Sequence, residues 1–186
     1  MARNHKSGFT LIEILVIITT LSLLSGILIV YNRSTERQIL LFREQAKIIN
    51  LILRAKSLAL STYTKSGSPC AYGIHLDQAE KELRMFQDLD ENGTTADCST
   101  ADNIYDPNSM YAAQENFDPP MIEKLDGQVS FLDPLGFTDI VFIAPNPDVI
   151  ITPDPAPAND AAIEIVITGG ISKKIKINRF GQVSVE

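Results

Sequence analysis

The acidic stretch after residue 87 has the residue types and the spacing of a calcium-binding loop. Asp88, Asp90 and Asn92 alternate and are followed by Gly93, as at the opening of a loop whose carboxylate and carbonyl oxygens coordinate Ca²⁺ before a tight turn. The twelfth position holds Ser99 instead of the bidentate glutamate. Two interpretations stay open: a calcium site at Asp88, Asp90 and Asn92, or an acidic Asn-Gly turn after a strand, which we favour.

Side chains that commonly perform catalysis are scarce in this sequence. Its two histidines are His5, close to the N-terminus, and His75, and there is neither a phosphate-binding glycine loop nor a Cys/His metal-ligand spacing. A single histidine on a predicted strand indicates a structural role. We therefore predict that the protein is not an enzyme and has no cofactor, unless the acidic stretch binds calcium. The only cysteines, Cys70 and Cys98, either form a disulfide outside the cytoplasm or remain two buried thiols.

Charge is divided unevenly along the chain. The net charge is −7, but residues 9–65 have a balance of +4 and residues 66–186 a balance of −13. A region this acidic repels phosphate backbones, so we expect no nucleic-acid partner. The one basic run in this region is interpreted as a solvated strand face: Lys173, Lys174, Lys176 and Arg179.

One segment is apolar enough to cross a bilayer as a helix. Residues 9–30 contain a single charge, Glu13, and a bilayer core of about 30 Å needs roughly 20 apolar residues. The run is longer than the hydrophobic region of a secretory signal peptide, and no small-x-small cleavage site follows it. A carboxylate costs about 2.5–3.5 kcal/mol at the centre of a membrane and less near an end, so Glu13 calls for a partner.

The start of this apolar run carries a motif, Lys6-Ser7-Gly8-Phe9-Thr10-Leu11-Ile12-Glu13. It resembles the cleavage and methylation motif of type IV prepilins and type II secretion pseudopilins. The resemblance implies that a prepilin peptidase removes residues 1–8 as a leader by cutting between Gly8 and Phe9, and that the Phe9 amine is N-methylated. It also implies that Glu13 pairs with the Phe9 amine of a neighbouring subunit during filament assembly, where an unpaired charge in low dielectric would be penalised.

The resemblance implies a structural subunit, a pseudopilin or minor pilin of a type II secretion pseudopilus or type IV pilus. Such a subunit crosses the inner membrane once, with its head in the periplasm or otherwise outside the cytoplasm. Its partners would be other pilin or pseudopilin subunits, the prepilin peptidase and the inner-membrane assembly platform. The positive-inside rule favours the opposite orientation, because more Lys and Arg follow the span than precede it. The alternative function is a non-polymerising single-pass protein whose β head binds a ligand or calcium.

The pattern of the whole chain predicts an α+β fold in which a long N-terminal helix packs on an antiparallel β-sheet head. The helix has a transmembrane half, 9–30, and an amphipathic half, 31–63, and the head is 64–186. The amphipathic half contains neither Pro nor Gly, and its broad apolar arc predicts contact with both the head and neighbouring helices. The central line of that arc is Leu41, Ile48, Ile52, Ala55 and Ala59.

Strand composition in the head is predicted at 70–77, 82–89, 129–133, 139–144, 161–168, 173–180 and 182–186. A two-residue Gly169-Gly170 turn is expected to join two of these strands as a hairpin. Residues 106–120 are expected to be irregular surface, and the proline-rich residues 144–160 a loop. The end of the helix, the first strand and the closing strand are similar to the minor pseudopilin family and its minor-pilin relatives.

Overall fold

The computed structural model describes residues 9–62, 68–90, 92–95, 98–108, 110, 112–132, 135–143, 148–152 and 160–186. The leader predicted at 1–8, with Gly8, lies outside these residues. By its contacts the chain divides into two units, Met1–Leu40 and Leu41–Glu186. The helix α1 (Leu11–Thr62) belongs to the first unit up to Leu40 and to the second from Leu41 onward.

The first unit is dominated by the apolar part of α1. Residues Leu11–Ile29 form a stretch that is long and apolar enough to cross a membrane, judged by length and composition. Its leucine, isoleucine and valine side chains are exposed. The hydroxyls of Thr19, Thr20 and Ser25 in this stretch donate to backbone carbonyls of the preceding turn, so its surface is mostly apolar.

The second unit combines the C-terminal part of α1 with two antiparallel sheets and a short helix, which makes the fold α+β. The remaining elements are β1 (Ala71–Asp77), β2 (Glu82–Asp88), α2 (Ala112–Glu115), β3 (Asn116–Lys124), β4 (Val129–Phe131), β5 (Asp139–Ile143), β6 (Asp148–Thr152), β7 (Asp160–Ile167), β8 (Ile171–Asn178) and β9 (Val183–Val185). The first sheet has the order β3-β2-β1-β5-β6, and the second has the order β4-β7-β8-β9. The prediction of a single sheet is therefore corrected to two.

The part of α1 in the second unit is held to the sheets by one buried line of side chains. The predicted line is confirmed, since Leu41, Ile48, Ile52, Ala55 and Ala59 are all buried. Polar contacts fix the helix along its length. The carboxylate of Glu44 accepts a hydrogen bond from the amide of Asp126 at 3.3 Å, and the Lys56 ammonium donates to the carbonyl of Gly181 at 2.7 Å.

One face of the first sheet is covered by the chain that connects β2 to β3. Tyr105 of this connection packs with Ala71, Phe86 and Val141 in a buried apolar cluster. The tyrosine ring centroid lies 5.4 Å from that of Phe86. We refer to residues 89–115 as the covering segment.

Replacing Gly73 with alanine is expected to destabilise the protein by about 1–3 kcal/mol, the usual range for overpacking a core. A Cβ at Gly73 would lie 2.3 Å from Cζ of the fully buried Phe86 ring. Urea unfolding followed by tyrosine fluorescence would measure the change. Gly127→Ala is the matched control, because no atom lies within 4 Å of a Cβ there. Equal stability of the two variants would contradict the expectation.

Two segments predicted to lack regular structure contain strands. Residues 106–120 include α2 and the first part of β3, and residues 144–160 include β6 and the start of β7. Pro119 and Pro120 suggested an irregular chain. However, β3 is an edge strand, and both prolines lie where the register of β3 with β2 shifts, between Met85 and Phe86 of β2. The prolines therefore remove no hydrogen bond from the ladder. β6 is a short apolar strand whose signal is masked by the prolines that follow it.

The predicted hairpin is confirmed, with a different turn. β7 pairs with β8 in the register that places Ile163 opposite Ile175 and Ile167 opposite Ile171. The connection therefore has three residues, Thr168 to Gly170, instead of two. Gly169 and Gly170 have φ of 117° and 85°, a region that side chains with a Cβ rarely adopt, so both glycines are required by the turn.

Candidate functional site

The first turn of α1 is closed by a capping box. The amide of Glu13 donates to the Thr10 hydroxyl at 3.3 Å, and the Thr10 amide donates to the Glu13 carboxylate at 3.5 Å. This reciprocal arrangement satisfies two amides that would otherwise lack partners at a helix N-terminus. The Thr-x-x-Glu spacing is a signal for it that the sequence analysis missed. Glu13 thus has a local partner within its own chain.

Exposed apolar residues precede this cap and lie within it. Phe9 is 74% exposed and Leu11 84% exposed. The predicted cleavage position Gly8 lies outside the described residues, so the structure places Phe9 and Glu13 but not the bond between Gly8 and Phe9. Phe9 and Glu13 are brought to the same helix end.

A second apolar surface lies on the part of α1 in the second unit. Phe42, Leu53 and Leu60 are exposed, and their spacing of eleven and seven residues puts them on one stripe of a helix with 3.6 residues per turn. The stripe is rotated by about a third of a turn from the buried line at 100° per residue. We call it the exposed stripe.

Comparison with known proteins identifies no relative of this chain. No protein-family model matches the sequence, and no curated protein and no solved structure matches it.

The two cysteines meet at the covering segment. The sulfur atoms of Cys70 and Cys98 are bonded at 2.07 Å. Cys70 immediately precedes β1, and its amide donates to the carbonyl of Asp88 at the end of β2. The disulfide therefore ties the covering segment to the sheet that it covers.

The predicted calcium residues serve separate structural roles. One carboxylate oxygen of Asp90 accepts the amides of Asn92 at 3.0 Å and Thr94 at 2.6 Å, and the other accepts the Thr94 hydroxyl. This is the hydrogen-bond pattern of an Asx turn. Asp88 instead accepts the amide of Asn103 at 3.1 Å. Within the described ranges no three Asp, Glu, His or Cys side chains form a group that could hold a metal ion. Calcium binding stays a prediction.

A group of carboxylates formed by Asp88 and by Asp102, Asp106 and Glu115 of the covering segment was missed by the sequence analysis. Asp88 is 1% exposed, and burial, with the negative charges of Asp102 and Glu115, raises its pKa from 3.8 to about 7. Burial also raises the pKa of Glu115, and Asp102 and Asp106 add to the effect. The available signal was the charge pattern, since residues 85–123 contain nine acidic residues and neither lysine nor arginine.

His75 lies on β1, the strand between β2 and β5 in the first sheet. Its Nδ1 is 2.8 Å from a carboxylate oxygen of Asp139 on β5, and the Thr138 hydroxyl donates to the other oxygen at 2.6 Å. The imidazole centroid lies 4.9 Å from the ring of Tyr105. The side chain is thus bonded across the sheet and packed beneath the covering segment, an arrangement that gives it a structural role.

Proposed function

We propose that the protein is a pilin-like structural subunit, a pseudopilin or minor pilin, that is processed between Gly8 and Phe9 and assembles through α1. The observation that carries the proposal is the run from Lys6 to Glu13 at the start of the apolar stretch Leu11–Ile29 of α1. A prepilin peptidase would expose the Phe9 amine, and the membrane would hold the subunit until assembly.

In the proposed mechanism, burial of apolar helix surface supplies affinity and one charge pair sets the register. Glu13 would exchange its bond to the Thr10 amide for the Phe9 ammonium of a neighbouring subunit. In low dielectric such a pair is favourable only when both charges are satisfied, so a misplaced subunit is penalised. The exposed stripe offers neighbouring helices a continuation of the apolar contact beyond the membrane-spanning segment.

The experiment that tests the proposal is an intact mass, with N-terminal fragmentation, of the protein recovered from the membranes of its own host. We expect a chain that begins with N-methylated Phe9. A chain that still begins at Met1 or Ala2 would overturn the proposal. The protein would then be an ordinary single-pass protein, and the count of basic residues around the span would favour a cytoplasmic head.

A further inference from the structure

The turn that follows β2 contains the acceptor sequence for a covalent modification. Residues 92–94 are Asn-Gly-Thr, which has the Asn-x-Ser/Thr spacing of an asparagine that receives a glycan on the surface of a secreted protein. One other triplet in the chain has this spacing, Asn-Arg-Ser at residues 32–34. So short a motif also arises by chance, so the structural setting of each asparagine decides which of the two can be an acceptor.

The triplet at residues 32–34 has an unsuitable setting. It lies inside α1, and Asn32 follows the apolar stretch Leu11–Ile29 by three residues, which is about 4.5 Å along the helix axis. The polar headgroup layer extends about 5–7 Å beyond the hydrocarbon core of a bilayer. With this stretch across a membrane, Asn32 lies at the depth of the headgroups and in a helical backbone. We therefore exclude it as an acceptor.

Asn92 has the opposite setting, on an exposed turn of the second unit. Its backbone amide donates to the Asp90 carboxylate at 3.0 Å, and its side chain makes no hydrogen bond in the part of the chain that the structure describes. The covering segment around it is joined to Cys70 through Cys98. Such a bond is typical of proteins outside the cytoplasm, which is where the proposed function puts this unit.

The turn around Asn92 is closed by other residues. The amide of Asp90 donates to the carbonyl of Thr94, and the amide of Gly93 donates to the carbonyl of Asp90, each at 2.9 Å. The Asp90 carboxylate accepts both the amide and the hydroxyl of Thr94. Since Asn92 contributes only its backbone amide, a glycan on its side chain leaves every one of these bonds in place.

An Asn-Gly pair also has a competing reaction. The glycine amide nitrogen attacks the asparagine side-chain carbonyl, ammonia leaves, and water opens the resulting ring to aspartate or isoaspartate. Here the attacking nitrogen would be that of Gly93, whose hydrogen is bonded to the carbonyl of Asp90. The turn must open before the ring can form. The closed turn therefore preserves Asn92 as an amide.

We propose that Asn92 is the acceptor of an N-linked glycan, transferred from a lipid-linked glycan diphosphate. The Asn92 amide nitrogen forms a bond to the anomeric carbon of the sugar, and the bond from that carbon to the diphosphate oxygen breaks. The lipid diphosphate leaves, and the amide proton passes to a base of the transferase. This modification goes beyond the assembly function, and depends on it only in requiring that the second unit leave the cytoplasm.

The hydroxyl of Thr94 determines when the transfer takes place. The acceptor sequence requires this hydroxyl, but in the folded unit it donates to the Asp90 carboxylate. The transferase therefore acts before the turn closes, while the chain emerges from the membrane. Once the turn has closed, Asn92 carries its glycan on the exposed side of the covering segment.

The test is peptide mapping of the chain recovered from the membranes of its own host. Trypsin cuts after Arg84 and Lys124, and no lysine or arginine lies between them, so after reduction of the disulfide one peptide, 85–124, contains Asn92. We expect this peptide to be heavier by one or more monosaccharide residues, with fragment ions that carry the added mass on Asn92. An unmodified peptide, or one changed only by conversion of Asn92 to aspartate, would overturn the proposal.

Four variants separate this acceptor from other attachment sites. Asn92→Gln keeps the turn and removes the acceptor, Thr94→Ala removes the required hydroxyl, and each is expected to abolish the added mass. Thr94→Ser keeps the hydroxyl and is the matched control, expected to retain the added mass. Asn32→Gln is expected to have no effect. A sugar that persists in Asn92→Gln would be attached elsewhere, and would contradict the proposal, as would its loss in Asn32→Gln.

The N-terminal peptide of the same digest keeps this proposal distinct from the proposed function. A chain that begins with N-methylated Phe9 but has an unmodified 85–124 peptide would overturn the glycan alone. A chain that begins at Met1 and carries a glycan on Asn92 would overturn the processing and support the modification. A chain that is both unprocessed and unmodified would overturn both.

Discussion

Replacing Glu13 with glutamine is expected to exclude the chain from filaments while leaving its helix capped. Glutamine supports a capping box as glutamate does, so the hydrogen bonds between residues 10 and 13 are retained. The substitution removes only the negative charge that the proposed mechanism places opposite the Phe9 ammonium of a neighbour. We expect near-complete loss from the filament fraction, with the variant retained in the membrane fraction. The measurement is the share of the chain in filaments sheared from the host, by immunoblot.

Thr10→Ala is the matched control for this prediction. It removes the hydroxyl that caps the Glu13 amide, at a cost of about 1 kcal/mol to the helix, and keeps the charge. We expect assembly close to that of the unaltered chain. If the glutamine variant assembles and the Thr10 variant does not, Glu13 acts as a helix cap and the charge-pair mechanism is wrong. If both assemble, neither role governs assembly.

Replacing Asp88 with asparagine is expected to stabilise the protein at pH 8 and to flatten its dependence on pH. Burial, together with Asp102 and Glu115, raises the pKa of Asp88 from 3.8 to about 7. The folded protein therefore holds this proton more tightly than the unfolded chain does. The resulting contribution to stability is present below pH 3.8, is lost as the pH rises toward 7, and stays constant above it. At about 1.4 kcal/mol per pKa unit, the loss is at most on the order of 4 kcal/mol.

Urea unfolding of the full chain in a non-ionic detergent, followed by tyrosine fluorescence at pH 5 and pH 8, measures this effect. Asparagine keeps an oxygen for the amide of Asn103 and cannot ionise. Asp118→Asn is the control, because Asp118 is exposed on β3 and exposed surface substitutions usually change stability by less than about 0.5 kcal/mol. A variant at position 88 that is less stable than the unaltered chain at pH 8 would contradict the prediction.

The sequence indicates the long helix and most strands because their signals are local. The part of α1 after Val30 has a run of helix-forming residues without Pro or Gly and a clear apolar line, and β7 and β8 have alternating apolar residues around glycines. β3 and β6 were missed for a physical reason. Pro119 and Pro120 lie inside β3, and prolines flank β6 on both sides, although proline normally ends a strand. β3 is also defined by its pairing with β2, from which the covering segment separates it in sequence, and a local pattern does not contain that pairing.

The charged sites also differ in whether the sequence alone could predict them. The motif from Lys6 to Glu13 is contiguous, so its residues could be named from sequence, and Phe9 and Glu13 do lie at one helix end. The group of carboxylates at Asp88, Asp102 and Glu115 depends on the path of the covering segment, which brings their charges close enough to influence one another. Sequence spacing instead grouped Asp88 with Asp90 and Asn92, although Asp88 and Asp90 accept hydrogen bonds from different amides.

The position of the covering segment determines which part of the sequence can change without loss of the fold. β2 and β3 are adjacent in the first sheet, and residues 89–115 connect them while passing over one face. The pairing of the two strands does not depend on the length of that connection, and the entropy of closing a loop grows only slowly as residues are added. The exposed turn of the segment at residues 106–108 is therefore where an inserted epitope would be tolerated. Tyr105 and the Cys70–Cys98 bond would keep their contacts with the sheet, so the rest of the segment would stay in place.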